Sequence, residues 1–220
     1  MDEMSKRLFM PAEWEAHERT FISWPVKESM VYPEDYEKVV AGYSEIIEAI
    51  AEFEPVTILA VPDEQEQVRA RFQHEQVDVV AIDHNDAWLR DNGPTFVRDE
   101  HRNVLAVNWK FNAWGEKYTP YDLDEQVAAR LIDHFQLEKI DVPLVMEGGS
   151  FHVDGQGTLL TTEECLLNEN RNPHLNKEEI ERFVKDVLGI EKVIWLKRAY
   201  AVMKLTAILI ISLALHLPGK

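Results

Sequence analysis

Apolar residues along the chain recur at two different periods, and these periods predict helices and strands in a definite order. In residues 33–53 the apolar side chains recur at the spacing of one helix face, at Tyr36, Val40, Tyr43, Ile47 and Ile50. The following run "VTILAV" (56–61) is short and apolar, which favours a strand. A polar helix over residues 63–73 and a buried strand "VDVVAI" (77–82) come next. The first part of the chain therefore alternates helices with strands.

The rest of the chain repeats one unit of two strands, a helix and a strand. The predicted elements are residues 95–112, 124–135 and 140–145 in one copy and 150–162, 177–188 and 192–196 in the other. Asp154-Gly155 forms the hairpin turn of the later copy, and Asn176 caps its helix. Repetition at about fifty residues indicates duplication of one supersecondary unit, in two clear copies and a looser first one.

The C-terminal stretch differs in composition from everything before it. All 40 acidic residues lie at or before Glu191, whereas the chain ends in the apolar "AVMKLTAILIISLALHLPGK". We therefore expect residues 1–196 to form the folded unit and residues 197–220 to be an aberrant tail. A membrane anchor needs about 20 apolar residues, and this run is barely that long and carries Lys204. A strand or helix buried against the fold is the other alternative, although the polar positions do not alternate cleanly.

Charge and cysteine content narrow the classes of function. With 40 acidic against 23 basic residues and a net charge of −17, the chain does not suit binding to nucleic acid or anionic lipid, and it attracts cations instead. Its single cysteine, Cys165, allows no internal disulfide, which favours a reducing cytoplasm. The N-terminal residues contain acids and no apolar core, so no signal peptide is predicted.

The stretch "DAWLRDNGPTFV" (86–97) is the first candidate for chemistry. It places two aspartates, an arginine and a tryptophan around an Asn-Gly-Pro turn, directly after a predicted buried strand. Ligand sites of α/β proteins lie at such strand ends. The alternative is a solvated loop in which Arg90 and Asp91 only pair with each other.

Two further stretches carry candidate groups. The aromatic run "NWKFNAWGEKYTPYD" (108–122) suits a cationic or planar ligand, or packs as ordinary core. In "MEGGS" the glycine pair Gly148-Gly149 permits a turn that brings Glu147 to a strand end.

Cys165 with His152 as its base resembles a nucleophile pair, but a lone cysteine is more often a small buried apolar residue. The His and Cys spacing matches no zinc site.

At these residues the sequence resembles the agmatine deiminases, which belong to a guanidino-modifying superfamily that includes bacterial peptidyl-arginine deiminases. The matching stretches are "MPAEWEAHERTFISWP", "WLRDNGP", "NWKFNAWG", "EGGSFHVDGQGTLLTTEECLLNENRNP" and "VIWL". The resemblance implies an α/β propeller of five ββαβ blades, of which about three are present here. It also implies hydrolysis of agmatine to N-carbamoylputrescine and ammonia, a step of putrescine biosynthesis, without metal or organic cofactor.

The resemblance also assigns roles to residues. Asp91 matches the guanidinium-binding catalytic aspartate, Glu147 a second carboxylate facing substrate, and Trp88 an aromatic wall of the channel. Cys165 does not match the nucleophile of the family. A sister activity on arginine or peptidyl-arginine is the first alternative, because the guanidinium carboxylates are shared. A non-catalytic guanidinium- or polyamine-binding fragment is the second.

The chain departs from the family pattern after "VIWL". The family continues into a "TDGH-x-DN" motif with catalytic His and Asp, and later supplies the nucleophilic cysteine; residues 197–220 contain neither. Read one nucleotide out of phase after Arg198, the codons of this tail can encode Asp-Glu-Thr-Asp-Gly-His-Leu-Asp-Asn-Ile-Ser-Cys. We therefore expect a frameshifted, inactive chain that self-associates through exposed blade edges, and the nucleotide sequence tests the frameshift.

Overall fold

Three small sheets, each of three strands, follow one another in the computed structural model, which describes residues 7–198. The strands are β1 (Thr20–Ser23), β2 (Val56–Ala60), β3 (Val77–Ala81), β4 (Thr95–Arg98), β5 (Val104–Lys110), β6 (Glu138–Val145), β7 (Phe151–Val153), β8 (Thr158–Thr162) and β9 (Lys192–Leu196). The helices are α1 (Tyr36–Ala51), α2 (Gln65–Arg71), α3 (Leu89–Asn92), α4 (Ala113–Glu116), α5 (Val127–His134), α6 (Glu163–Leu166) and α7 (Lys177–Leu188). Short 3-10 turns lie at Pro62–Glu64, Asp124–Gln126 and Gly148–Ser150.

The second and third sheets have the same topology. β4 pairs antiparallel with β5, and β5 pairs parallel with β6; β7, β8 and β9 repeat this pattern. In the first sheet β1, β2 and β3 all run parallel. The mixed α/β class and the two similar units agree with the sequence analysis, whereas the arrangement of the units as propeller blades stays a prediction.

Helices lie between the sheets and join them through apolar contacts. Val127 and Leu131 of α5 pack against Leu59 and Val80 of the first sheet. In the same way α7 packs in a cluster with apolar residues of both the second and the third sheet. Each fully buried Leu or Ile of this kind contributes roughly 1.5–3 kcal/mol. Successive units are therefore held together by shared cores.

The sequence analysis missed four short elements. The strand β1 and the helices α3, α4 and α6 have four residues each, which is too short for a periodic pattern to show. The helix predicted at 124–135 is a 3-10 turn followed by α5. Among the described residues no helix is long and apolar enough to cross a membrane. The predicted tail lies outside the described residues from position 199 onward.

Candidate active site

Asp91 lies buried where three segments of the chain meet. It belongs to the short helix α3, and only 5% of its surface is exposed. Its Oδ1 accepts a hydrogen bond from the backbone N–H of Gly149 over 2.9 Å. Its Oδ2 accepts one from Nε1 of Trp114 over 3.2 Å. The carboxylate is therefore fixed by donors from the loops that follow β5 and β6.

Glu147 reaches the same place from the end of β6. Only 1% of the surface of Glu147 is exposed, and the 3-10 turn Gly148–Ser150 follows it directly. A Cβ atom on Gly148 would lie 2.2 Å from the carbonyl oxygen of Arg90, so only glycine allows this turn to approach the loop of Asp91. The expected turn at Gly148-Gly149 is present, and it brings the two carboxylates together.

The closeness of the two carboxylates changes the titration of Asp91. The pKa of Asp91 is raised to about 6, chiefly by burial and secondly by the neighbouring Glu147 carboxylate. The hydrogen bonds from Gly149 and Trp114 oppose that shift. A buried, paired carboxylate with a perturbed pKa is typical of a functional site. Because Asp91 is buried, the solvated-loop interpretation is excluded. Arg90 forms its ion pair with Glu13 instead of with Asp91.

Arg171 and Cys165 complete this cluster, and the sequence analysis did not place either of them here. Nε of Arg171 donates to Oε1 of Glu147 over 2.6 Å, with both side chains buried. Sγ of Cys165 lies 3.8 Å from Oε2 of Glu147. Burial, and then Glu147, raise the pKa of Cys165 well above its usual value, so the thiol stays protonated. This supports the expectation that Cys165 is not a nucleophile.

His152 does not act as a base for Cys165 in this arrangement. Its Nδ1 lies 3.7 Å from Oε2 of Glu13, and its ring lies 6.3 Å from that of Trp14. No hydrogen bond joins His152 to Cys165 within residues 7–198. In the same part of the chain, no three His, Cys, Asp or Glu side chains are grouped to hold a metal ion.

Trp88 lies beside Asp91, at the wall of an aromatic and acidic cleft. Its ring meets that of Trp114 edge to face, with centroids 5.0 Å apart. Both rings, with Tyr118, line a cleft of about 510 Å³. Asp86 and Asp124 lie in the same cleft, and burial raises the pKa of Asp124 to about 6. The aromatic run therefore fits both interpretations, since Trp114 is buried in an aromatic cluster and also borders the cleft together with Tyr118 and Tyr121.

Comparison with known proteins places this chain in a family. The model of the Porphyromonas-type peptidyl-arginine deiminases matches residues 9–210. The chain belongs to this family.

Relatives of known sequence agree with that family. A Pseudomonas aeruginosa agmatine deiminase is 46% identical over 196 residues, which cover 85% of this chain and 52% of the relative. A putative agmatine deiminase of Legionella pneumophila is 43% identical over 188 residues, covering 86% of this chain and 54% of the relative. The chain thus spans about half the length of the curated relatives it matches.

Solved structures of the family have the same fold. The agmatine deiminase of Enterococcus faecalis superposes with a TM-score of 0.81 at 37% identity, covering 88% of this chain and 54% of that one. A C. jejuni agmatine deiminase with substrate bound superposes with a TM-score of 0.80 at 32% identity, covering 88% of this chain and 57% of that one.

Proposed function

We propose that this chain carries the guanidinium-binding carboxylates of an agmatine deiminase, which converts agmatine and water into N-carbamoylputrescine and ammonia. The observation that carries the proposal is the buried pair of Asp91 and Glu147, with the pKa of Asp91 raised to about 6. Near neutral pH, Asp91 is ionised and presents two oxygens, which match the planar donors of a guanidinium. Trp88 supplies an aromatic face beside it, and the acidic surface attracts a dication.

In this proposal, the described residues bind and orient the guanidinium but do not attack it. Attack on the guanidinium carbon needs a thiolate and a general base. Cys165 is buried and protonated, so it supplies no thiolate. We therefore propose that the chain binds its substrate without turnover, and that residues 197–220 are a frameshifted form of the family's next catalytic segment.

The alternative of an arginine or peptidyl-arginine deiminase keeps the same guanidinium site, and the family's own description favours it. The cleft beside Trp88 bears on this choice. Asp86 and Asp124 give that cleft a negative potential, which attracts the ammonium group of agmatine and repels the α-carboxylate of arginine. Agmatine is therefore the substrate that the electrostatics favour.

Titration calorimetry on the purified chain tests the proposal. We expect agmatine to bind near neutral pH, arginine and a C-terminal arginine peptide to bind more weakly, and putrescine, which lacks the guanidinium, not to bind at the Asp91 site. Asp91→Asn removes a charge-assisted contact, so agmatine affinity falls by roughly tenfold to a hundredfold. A parallel assay for N-carbamoylputrescine is expected to show no product above buffer.

The matched control is Asp186→Asn, which removes an exposed aspartate of α7 away from the site. Its agmatine affinity is expected to equal that of the unmodified chain. Agmatine binding that survives Asp91→Asn unchanged would exclude the proposed guanidinium site, and product formation would refute the proposed lack of turnover.

A further inference from the structure

Three consecutive residues, Asn170, Arg171 and Asn172, reach from the loop between α6 and α7 to three different parts of the carboxylate site, Asn170 through its backbone carbonyl and the other two through their side chains. The loop has no regular secondary structure, and the reaction itself assigns it no role. We propose that residues 170–172 form a positioning clamp that fixes Glu147 and Asp91 relative to each other. The catalytic meaning of the clamp rests on the proposed function, whereas its geometry can be tested without any substrate.

Arg171 is the central member of the clamp. Its Nε donates to Oε1 of Glu147 over 2.6 Å, and its Nη1 donates to Oδ1 of Asn170 over 2.6 Å. Its Nη2 is buried and has no hydrogen-bond partner within residues 7–198. Burying a guanidinium with one donor unsatisfied is unfavourable, so ordinary packing gives no reason for it. The arrangement is explained if the guanidinium serves as the counter-charge of Glu147.

Asn172 fixes the backbone just before Glu147. Its Nδ2 donates to the carbonyl oxygen of Val145 over 2.8 Å, and its Oδ1 accepts from the N–H of Val145 over 2.9 Å. One side-chain amide thus satisfies both polar groups of a residue at the end of β6. Because Val145 is two residues before Glu147, this pair sets the direction in which the chain leaves the strand.

Asn170 extends the clamp to Asp91 through the loop around α4. Its carbonyl oxygen accepts from Nδ2 of Asn112 over 2.9 Å, and Oδ1 of Asn112 accepts from the N–H of Gly115 over 2.9 Å. A Cβ atom on Gly115 would lie 2.3 Å from Nδ2 of Asn170, so the two segments are in tight contact. Trp114, held in this loop, donates to Asp91.

The clamp therefore contacts Glu147 through Arg171 at one end and reaches Asp91 through the loop of Trp114 at the other, and these two carboxylates interact electrostatically. The charged and titratable groups around it are Arg171 and Cys165 beside Glu147, and Arg90 beside Asp91. Glu147 raises the pKa of Asp91, so any change in the charge of Glu147 is felt by Asp91. The titration midpoint of Asp91 therefore reports on the clamp, whereas a loop with only a structural role would leave that midpoint unchanged.

The test follows the titration of Asp91 by carboxyl carbon NMR in the full chain without ligand. In Arg171→Met, Glu147 loses its counter-charge and takes up a proton, which removes a negative charge beside Asp91. The midpoint of Asp91 is then expected to fall by about one pH unit. Arg171→Lys restores most of the native midpoint. The control Arg182→Met, which removes an exposed arginine of α7, leaves the midpoint unchanged.

A double-variant comparison separates the clamp from a general loss of structure. In a Glu147→Gln background the negative charge is already absent, so adding Arg171→Met is expected to cause no further shift of Asp91. A shift of equal size in both backgrounds would overturn the proposal. So would an unchanged midpoint in Arg171→Met, or a midpoint that Arg171→Lys does not restore.

A second variant keeps the proposal testable if Arg171→Met does not fold. Asn170 is exposed, and Asn170→Ala removes its hydrogen bond from Nη1 of Arg171 and the contact of its side chain with Gly115 in the loop of Trp114, while its backbone carbonyl still accepts from Asn112. We expect the indole N–H of Trp114 to exchange with solvent about tenfold faster in this variant. An unchanged exchange rate would contradict the clamp. Agmatine calorimetry is a separate arm: if the unmodified chain fails to bind, the proposed function fails, while the NMR result still decides the clamp.

Discussion

Asp91 carries an energetic penalty that should be visible in the stability of the chain. Its folded pKa is about 6 against an ordinary value of 3.8. Below the ordinary value both states are protonated, and the folded state keeps its proton as the pH rises while the unfolded state loses it. Stability is therefore lost as the pH rises toward the folded pKa and stays constant above it.

We predict that the penalty disappears in Asp91→Asn. Relative to that variant, the free energy of unfolding of the unmodified chain is expected to fall by roughly 2–3 kcal/mol between about pH 4 and pH 7. Urea unfolding at a series of pH values measures this difference, and any hydrogen bond lost in the variant adds only a constant offset. Asp186→Asn is the control, and its curve is expected to parallel that of the unmodified chain. Parallel curves for Asp91→Asn would show that Asp91 is not penalised.

The sequence predicts some members of the site and not others, for a physical reason. Asp91 and Glu147 both follow strands, Glu147 directly before Gly148 and Asp91 two residues before Gly93, so local rules point to them. Arg171 is 24 residues from Glu147 along the chain, and Cys165 is 18 residues away, so only the fold brings them together. The one available clue is that a buried carboxylate needs a counter-charge, and "NENRNP" supplies an arginine. The left-handed backbone of Trp114, with φ of 59°, has no clue in its residue type.

At the scale of elements, helices and strands are predicted correctly where the apolar pattern is long and capping residues mark both ends. Asn176 begins α7 with a capping box that includes Glu179, and Gly189 ends the helix in the left-handed conformation. The helix and its N-cap were both expected from the sequence. β1, α3 and α4 depend instead on contacts with distant residues. For example, Asn112 caps α4 while its amide binds Asn170.

Gly189, at the C-terminal end of α7, lies against the N-terminal segment at Leu8, and this close approach leads to a second prediction. Its φ is 66°, and a Cβ atom there would lie 1.9 Å from the carbonyl oxygen of Leu8. Gly189→Ala therefore strains the backbone and pushes away the segment that bonds to α7 through Met10. We expect a loss of about 2–4 kcal/mol in the free energy of unfolding, measured with urea.

Gly42 provides the matched control for this substitution. It lies inside α1, and a Cβ atom there meets nothing within 4 Å. Gly42→Ala is expected to stabilise the chain by about 0.5–1 kcal/mol, because alanine favours the helix more than glycine does. A Gly189→Ala variant as stable as Gly42→Ala would contradict the close approach at Leu8.

At the scale of the whole molecule, the order of layers leaves one sheet less covered than the others. α1 and α5 cover the two faces of the first sheet, and α7 packs between the second and third sheets. Within residues 7–198, no helix covers the other face of the third sheet. Ile194 and Leu196 of β9 remain 36% and 37% exposed there. β9 also pairs only with β8 among the described strands, so its other edge offers free backbone groups.

We predict that this edge and face cause the chain to self-associate. Exposed apolar side chains on an unpaired edge favour pairing with another chain. Sedimentation velocity is expected to show association that increases with concentration, and the double substitution Ile194→Lys with Leu196→Lys is expected to abolish it. Ile46→Lys is the control, since Ile46 is 54% exposed on α1 and lies on no strand edge.

The three chains together decide whether the third sheet is responsible. Association that persists in the β9 double variant, or that Ile46→Lys removes equally well, would point to another surface and reject the edge as its cause. A chain that is monomeric at all concentrations in low salt would mean that repulsion between chains of net charge −17 outweighs the exposed strand. Raising the ionic strength screens that repulsion, so an edge-driven association must then appear; a chain that stays monomeric in high salt refutes the prediction.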